Sequence, residues 1–540
     1  GNDLENYFMQ AMVYASGKWV STAVVEPSIW RPTGGFTVGV PNARLWSPDD
    51  PFLYDVKIAI VKRKEDLSPQ ERKELGDIEK RESPPFKGGV VCDEVSSYFG
   101  MRKVEIKEAE DGFVRIHLND KPILQYGPLD QGYWPDGILT PPSDAAAKFD
   151  LQYLKDIGCN MVRVHIKAHP DRWYYWADRL GLLVWQDMIC MPKYGQTVDD
   201  AAATQWRKEF DAMIDSLGNH PSIVHWVVFN EGWSQHDTGR YTEWVKDKDP
   251  SRLVTDASGW THEFVGDIWD LHDYSFYPGV VEKADAQNRA ILLGEAGGHN
   301  LAIPGHTWYG KEPSRNINFV NELGRMTFST PEEMLDGYGF WLEGLRALNA
   351  GAGCNAVVYT QITDVEHELN GFLTYDRKVS KIDRTALRKT HERLYTMPKL
   401  VPVVQHLGPW RYTTRQLVKP KRPRTKPPAD YTGPWIQPGF NDSSWKTLAN
   451  SSIGHEDRVG DNMTTSARAN VVYLRTDFDL KKIPANPMLK ITGRAACDVY
   501  LNGKLLRRVR MRARAGEKSK INFIPLRPDE RQLLRKGSNT

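Results

Sequence analysis

Between about Asp111 and Val401 the chain alternates short apolar, β-prone runs with amphipathic stretches of helical period, eight times over. The runs fall at 123–127, 161–165, 182–187, 223–230, 253–257, 268–272, 291–295 and 356–360. Helices fit between most of them, most clearly at 145–157, 171–180 and 203–217. Such alternation makes the strands parallel, and eight units of this size predict a central (β/α)8 TIM barrel. In a barrel of that kind, chemistry sits on polar residues just past the C-terminal ends of the strands.

The flanks read differently. Residues 1–107 carry β-prone runs at 36–40, 53–61 and 96–100, punctuated by Pro, Gly and Asp, which predicts an immunoglobulin-like β-sandwich. A charged stretch from Lys62 to Arg81 reads as a solvated insertion or hairpin tip. The barrel occupies 108–402. A basic, proline-rich stretch at 419–428 cannot pack a core and reads as a linker or exposed loop. Trp435, the runs at 440–445 and 473–478, and an Asn502-Gly503 turn predict a C-terminal jelly-roll-like β domain over 403–540. The chain stops at Thr540, where a final core strand is expected to follow, so it reads as a fragment with this domain incomplete.

Composition narrows the partners. With 71 basic and 69 acidic residues the formal charge is +2, so there is no global attraction to nucleic acid or to an anionic membrane. No run approaches the ~18 apolar residues of a membrane span. Five scattered cysteines without CxxC spacing indicate neither a disulfide framework nor a thiolate metal site. Eighteen Trp and 22 Tyr supply flat faces on which sugar rings can stack, beside their ordinary packing role. The first residues lack the basic and apolar regions of a signal peptide. The expected compartment is cytoplasmic, or periplasmic or secreted if a leader is missing.

Two stretches concentrate the chemistry. Phe229-Asn230-Glu231-Gly232-Trp233 and Leu293-Gly294-Glu295-Ala296-Gly297-Gly298 each place a glutamate at or just past the end of an apolar strand. Paired carboxylates at strand ends are what glycosidic bond cleavage needs. Glu231 is the expected proton donor and Asn230 the hydrogen-bond partner of a sugar hydroxyl. If the carboxyl groups lie about 5–5.5 Å apart, Glu295 is a nucleophile and configuration is retained; at about 6.5–9.5 Å it inverts.

The chain resembles glycoside hydrolase family 2, which includes β-galactosidases, β-glucuronidases and β-mannosidases. The resemblance rests on Tyr98-Phe99-Gly100-Met101-Arg102-Lys103, Asn160-Met161-Val162-Arg163, Asn230-Glu231 and Gly294-Glu295. It implies a retaining exo-acting enzyme with Glu231 as acid/base and Glu295 as nucleophile. By the same resemblance Arg163 supports the nucleophile and keeps it ionised, and Tyr274 orients it, with Tyr277 as a rival. Asp130, Gln131 and Trp134 after the first strand, and the loop bearing Asp364 after the eighth, resemble glycone-binding loops of a less characterised branch. Asp187, His272 and Trp308 complete the expected substrate-binding set. The resemblance also implies a jelly-roll sugar-binding domain ahead of the sandwich, and none precedes Gly1.

Departures from the family pattern leave specificity open. Val184-Trp185-Gln186-Asp187 resembles β-mannosidases, but Val164-His165-Ile166-Lys167 replaces both the Trp-Gly-Gly-Gly run of those enzymes and the Ser-His-Tyr-Pro run of many β-galactosidases. No Asn-x-Lys motif for a uronate carboxylate is evident near the rim. A β-galactoside is therefore the default, with β-mannoside, another β-hexoside or β-glucuronide as alternatives. No organic cofactor is expected. His165 and His169 share an i, i+4 spacing, but Pro170 argues against a helix that would make them a zinc pair, so no metal ligand is assigned. A bound Mg²⁺ or Na⁺, as in some relatives, is left open. The expected partner is a carbohydrate, such as an oligosaccharide or a plant or algal polysaccharide fragment; an oligomer is not excluded. A carbohydrate-binding protein with impaired catalysis is the alternative from another class.

Overall fold

All eight residues of Ile223–Asn230 are buried, as a strand covered on both faces must be. In the computed structural model it is one of eight parallel strands: β1 (Gln125–Asp130), β2 (Met161–Val164), β3 (Leu183–Asp187), β4 (Ile223–Asn230), β5 (Leu253–Ser258), β6 (Ile268–Asp273), β7 (Ala290–Ala296) and β8 (Cys354–Tyr359). The structure describes residues 3–26, 37–73, 89–190, 197–308, 326–404, 410–415, 433–447, 471–493, 497–509 and 519–540. Each strand pairs with its sequence neighbour, β8 pairs with β1, and the ladder is open only between β5 and β6. There an isolated Thr255–Gly266 bridge and the Ser258 side chain, bonded to Asp270 and His272, nearly close the barrel.

The helices follow local signals. α1 (Asp144–Asp156) starts where Ser143 Oγ accepts the Ala146 N–H, and α3 (Asp200–Leu217) where Asp199 accepts the Ala202 N–H. α2 (Asp171–Leu180) ends at Gly181, whose φ of 74° closes the helix in the left-handed conformation. α4 (Thr238–Lys248) follows β4. The regular β/α alternation stops there: residues 259–267 join β5 to β6 without a helix, being too few for a helical crossover. Residues 274–289 join β6 to β7 through a short strand, Gly279–Val281.

Leu129, Met161, Leu183, Trp185, Val224, Leu253, Ile268, Leu292 and Val358 share one core with Ile116 and Leu118 of the small antiparallel sheet 104–122. Ahead of it lies a four-stranded antiparallel sheet in the order Lys18–Val25, Tyr7–Ala15, Tyr54–Arg63, Gly89–Phe99. Arg102 fixes the following turn to the base of the barrel, donating to the carbonyls of Pro221, Ile223 and Ser251. The run at 36–40 is not a strand over its described residues, 37–40, where Pro41 and Asn42 open a turn. The strands Tyr7–Ala15 and Lys18–Val25, which the sequence reading passed over, form a hairpin on a Ser16-Gly17 turn with φ of 49° and 77°. The charged stretch begins as the end of a strand and a short 3₁₀ turn, Lys64–Asp66. Its residues from 74 onward lie outside the described set.

The chain divides into two compact units. One comprises Gly1–Tyr274, Asn288–Leu335 and Asn355–Arg393; the other comprises Ser275–Gln287, Asp336–Cys354 and Leu394–Thr540. The second unit holds short antiparallel sheets, among them Gly279–Val281, Lys520–Pro525 and Met488–Gly493 in one, and Phe478–Leu480 paired with Gly537–Asn539 in another. Cys497–Leu501 and Lys504–Val509 form a hairpin, and Asn502 and Gly503 turn it with φ of 49° and 87°. The proline-rich stretch 419–428 lies outside the described residues. Among the described residues no helix is long and apolar enough to cross a membrane.

Candidate active site

Glu231 leaves β4 in the left-handed conformation, φ 53°, with its N–H donated to the Ser258 carbonyl at 2.9 Å. A non-glycine residue there is unfavourable unless the surroundings hold it, and such residues cluster at functional sites. Its side chain is 24% exposed, whereas that of Glu295, near the end of β7, is 6% exposed. A register shift between Leu271 and His272 sets His272 opposite Glu295. One oxygen of each carboxyl and one His272 ring nitrogen lie within 4.8 Å of one another.

Gly294 shows why a residue without a side chain precedes Glu295. A Cβ there would sit 2.2 Å from Asp270 Oδ1, and the Gly294 N–H donates to that same oxygen at 2.6 Å. The Gly294 carbonyl accepts from Arg163 Nη1 at 2.9 Å, so the peptide groups on both sides of this Cα hold the strand end.

Arg163 is fully buried. Nε and Nη2 donate to the two Asp187 oxygens at 3.0 and 2.8 Å, and Nη2 also donates to Asn230 Oδ1 at 2.8 Å. Its approach to Glu295 Oε1, 3.5 Å from Nη1, is an ion pair without a hydrogen bond. The Arg163 bond fixes the Asn230 amide, whose Nδ2 then donates to His165 Nε2 at 3.3 Å. Burial and the Arg163 charge hold the His165 imidazole well below the usual histidine range. His165 is therefore neutral, and Nε2, 3.4 Å from Glu295 Oε1, presents a lone pair to it and no proton.

Tyr274 OH donates to Glu295 Oε2 and lies 3.4 Å from Thr360 Oγ1. Tyr277, its sequence rival, belongs to the second unit, where its hydroxyl accepts from Arg507 Nε. Burial raises Glu295 above the ordinary carboxylate range; His272, Arg163 and Tyr274 pull it down, and Glu231 pushes it further up. The expectation that Arg163 keeps Glu295 ionised is thus corrected in degree. The guanidinium favours the anion, but its four hydrogen bonds go to Asp187, Asn230 and the Gly294 carbonyl, and burial outweighs the charge that Glu295 still feels.

Several expected sugar contacts are committed elsewhere. Asp130 accepts from His169 Nε2 at 2.8 Å and from the Gly132 N–H at 2.7 Å. Asp187 is occupied by Arg163, and Asp364 by the fully buried Lys381 at 2.6 Å and the Gly371 N–H at 2.8 Å. These three carboxylates are buried and hold protein groups. Asn230 is buried as well. Gln131 is half-buried, and Trp134 lies under the Arg377 guanidinium at 3.5 Å. Trp308 is 42% exposed, with its ring edge to Tyr375.

The structure adds residues to the site that the sequence reading left out. Ser258 and Asp270 stand behind His272, Trp260 lies edge-on to its ring with centroids 5.6 Å apart, and His165 joins Asn230. A polar residue closing an apolar strand is the signal that Ser258 and His165 did carry. Glu231, His272 and Glu295 are close enough to hold a cation, but a 2.7 Å hydrogen bond between His272 Nδ1 and Glu231 Oε1 already uses two of the donors. No metal is assigned to them.

Residues 143–290, which carry β2 through the start of β7, match the TIM barrel domain of the glycosyl hydrolases of family 2. Over these residues the barrel is similar to that of glycoside hydrolase family 2. The matched segment contains Arg163, Asn230, Glu231 and Tyr274, and Glu295 follows it by five positions. A β-galactosidase of Photobacterium profundum is 27% identical over 268 residues, 46% of this chain and 23% of that protein. The chain thus aligns with about a fifth of the length of the curated relatives it matches. Among solved structures, an FMN-binding β-glucuronidase from Facaelibacterium prausnitzii L2-6 superposes with a TM-score of 0.53 at 18% identity, over 72% of this chain and 57% of that one. A β-glucuronidase from Ruminococcus gnavus in complex with D-glucuronic acid gives 0.51 at 20% identity, over 72% and 63%. These likenesses concern the fold.

Proposed function

We propose that the protein is a retaining exo-β-glycosidase, with Glu295 as nucleophile and Glu231 as acid/base. One observation carries this reading: oxygens of the two carboxyls lie within 4.8 Å of each other, too close for the water that an inverting enzyme must place between them. In the first step Glu231 gives its proton to the glycosidic oxygen as the C1–O bond breaks, and Glu295 bonds to C1. In the second step Glu231 takes a proton from water, which attacks C1 and releases Glu295. Tyr274 holds Glu295 through Oε2, and Arg163, fixed by Asp187 and Asn230, supplies positive charge beside Oε1.

The default glycone is a neutral β-hexoside of galactoside type. Among the described residues near the β2 end, the cations Arg163 and Lys167 are committed, the first to Asp187 and Asn230, the second to the Leu139 carbonyl at 2.8 Å. The occurrence of β-glucuronidases among the solved likenesses favours β-glucuronide as the second reading. The four-stranded N-terminal sheet is read as part of an immunoglobulin-like domain, and the C-terminal β unit as part of a jelly roll.

Hydrolysis of a panel of aryl β-glycosides (galactoside, glucoside, mannoside, glucuronide, xyloside, fucoside) tests the reading, with Glu231→Gln and Glu295→Gln as controls. Turnover of one glycone, abolished in both variants, with the β-anomer as first product by NMR, is the expected result. Sugar binding by the folded protein without turnover of any member would favour a carbohydrate-binding role instead.

A further inference from the structure

We propose that His272 is a positioning residue for Glu231, sharing with it the proton used in acid/base catalysis, and that Ser258 and Asp270 set the imidazole tautomer that allows this. The inference rests on the hydrolytic reading above and adds to it the group through which Glu231 works.

Asp270 lies at the buried end of this chain of contacts. Burial pushes it up to about 6 against the pull of Arg163, Ser258 and His262, so near neutrality it is a carboxylate. Its Oδ1 already accepts the Gly294 N–H. Its Oδ2, 2.6 Å from Ser258 Oγ, can only accept, so the serine hydroxyl donates to it. Ser258 Oγ is then the acceptor in its 2.7 Å contact with His272 Nε2, which must carry the hydrogen. In the neutral ring this leaves a lone pair on Nδ1, 2.7 Å from Glu231 Oε1. A lone pair and a carboxylate do not approach so closely without a proton between them. Either Glu231 is protonated and donates to Nδ1, or the imidazolium donates to the Glu231 carboxylate, and in both forms one proton belongs to the pair.

The surroundings keep that arrangement in place. Charged or titratable groups facing the pair include Glu295 on β7, whose Oε2 is 3.6 Å from Nδ1, and Arg163 and neutral His165 at β2. Asp270 is on β6 with His272 and Tyr274 follows that strand, and His262, paired with Asp256, donates to the Asp270 carbonyl from the loop between β5 and β6. Gly259, with φ 96°, backs onto the ring, and a Cβ there would stand 2.8 Å from Nδ1. The proton therefore sits between two sites held in fixed geometry. When the leaving oxygen takes it from Glu231, a carboxylate is left facing a lone pair, a repulsive contact that favours return of one proton to the pair from the water that attacks C1.

Two measurements test this. With 4-nitrophenyl glycoside, His272→Gln, which keeps a donor but cannot store a proton, is expected to lower kcat/KM about tenfold or more. The basic limb of its pH profile should move to lower pH by about one unit, because Glu231 must then hold the proton alone. With a 2,4-dinitrophenyl leaving group, which needs no proton, the same variant should keep kcat/KM near wild type. An unmoved basic limb, or equal losses on both substrates, overturns the proposal. The second measurement needs no turnover: in protein labelled with [15N]histidine, the resonances lost in His272→Gln should report Nε2–H and an Nδ1 whose titration changes in Glu231→Gln. A ring in the Nδ1–H tautomer, or one indifferent to Glu231→Gln, overturns the proposal even if hydrolysis is established. A protein silent on every glycoside that still shows this signature sinks the hydrolytic reading and leaves the proton pair standing.

Discussion

Arg163 meets Asp187 edge-on, Nε to Oδ1 at 3.0 Å and Nη2 to Oδ2 at 2.8 Å, and reaches Glu295 only at 3.5 Å. The guanidinium beside the proposed nucleophile is thus bonded to a different carboxylate, which fixes its plane from the next strand. Asp187→Ala would leave Arg163 buried with its charge unbalanced by that partner. We expect a loss of about 3–5 kcal/mol in unfolding free energy, read by urea titration. A change within about 0.5 kcal/mol would mean that Glu295 alone suffices to balance Arg163.

Gly294 has no room for a side chain. The Cβ of Gly294→Ala would fall 2.2 Å from Asp270 Oδ1, and that carboxyl is held by Ser258 and by the Gly294 N–H itself. The expected outcome is a destabilisation of about 1–3 kcal/mol together with lost turnover, since Asp270 and the β7 end must separate. Thermal melting beside a glycoside assay reads both. Wild-type values in both would show that Asp270 can swing aside freely.

The two candidate tyrosines separate cleanly by substitution. Tyr274→Phe removes a hydrogen bond to Glu295 and should reduce kcat/KM by about 10- to 100-fold, the worth of a hydrogen bond to a charged group. Tyr277→Phe removes only the contact with Arg507 in the other unit and should leave kcat/KM within about twofold. Equal effects would contradict the placement of Tyr274 on the nucleophile.

The barrel was legible because its strands are apolar on both faces. The limits of β4 and α2 read from sequence match the structure residue for residue, and both glutamates fall at strand ends as expected. The hairpin of Tyr7–Ala15 and Lys18–Val25 escaped because its apolar residues are interleaved with Gln, Ser and Thr, and its Ser-Gly turn is a weak signal. Asp130, Asp187 and Asp364 looked like sugar ligands because position at a rim says nothing of depth. Their partners, His169, Arg163 and Lys381, come from other parts of the chain. The contacts of Ser258 with Asp270 and His272 cross the seam between β5 and β6, where no backbone ladder or sequence period announces a neighbour.

Buried histidines give the protein an acid limit. Burial holds His225 and His299 at about 3, with the Arg163 charge adding to the effect on His225; it holds His391 at about 4 against the bond to the Ile157 carbonyl. In the unfolded chain each titrates near 6.5, so between those values the unfolded state binds the extra protons. The stability these residues allow is complete above about pH 6.5 and is lost as the pH falls, by up to about 1.4 kcal/mol per pH unit for each. Asp270 and Asp364, raised by burial to about 6, act in the opposite sense between about pH 4 and 6, keeping protons that the unfolded chain releases. Burial raises Asp150, Asp187 and Glu295 in that same sense, so the contribution of the imidazoles is read as a difference between proteins. From pH 7 to pH 4.5 the unfolding midpoint in urea of His225→Gln, if it folds, should fall less or rise more than that of the wild type. An identical pH dependence in the two would show that His225 takes up no extra proton on unfolding, contrary to its burial.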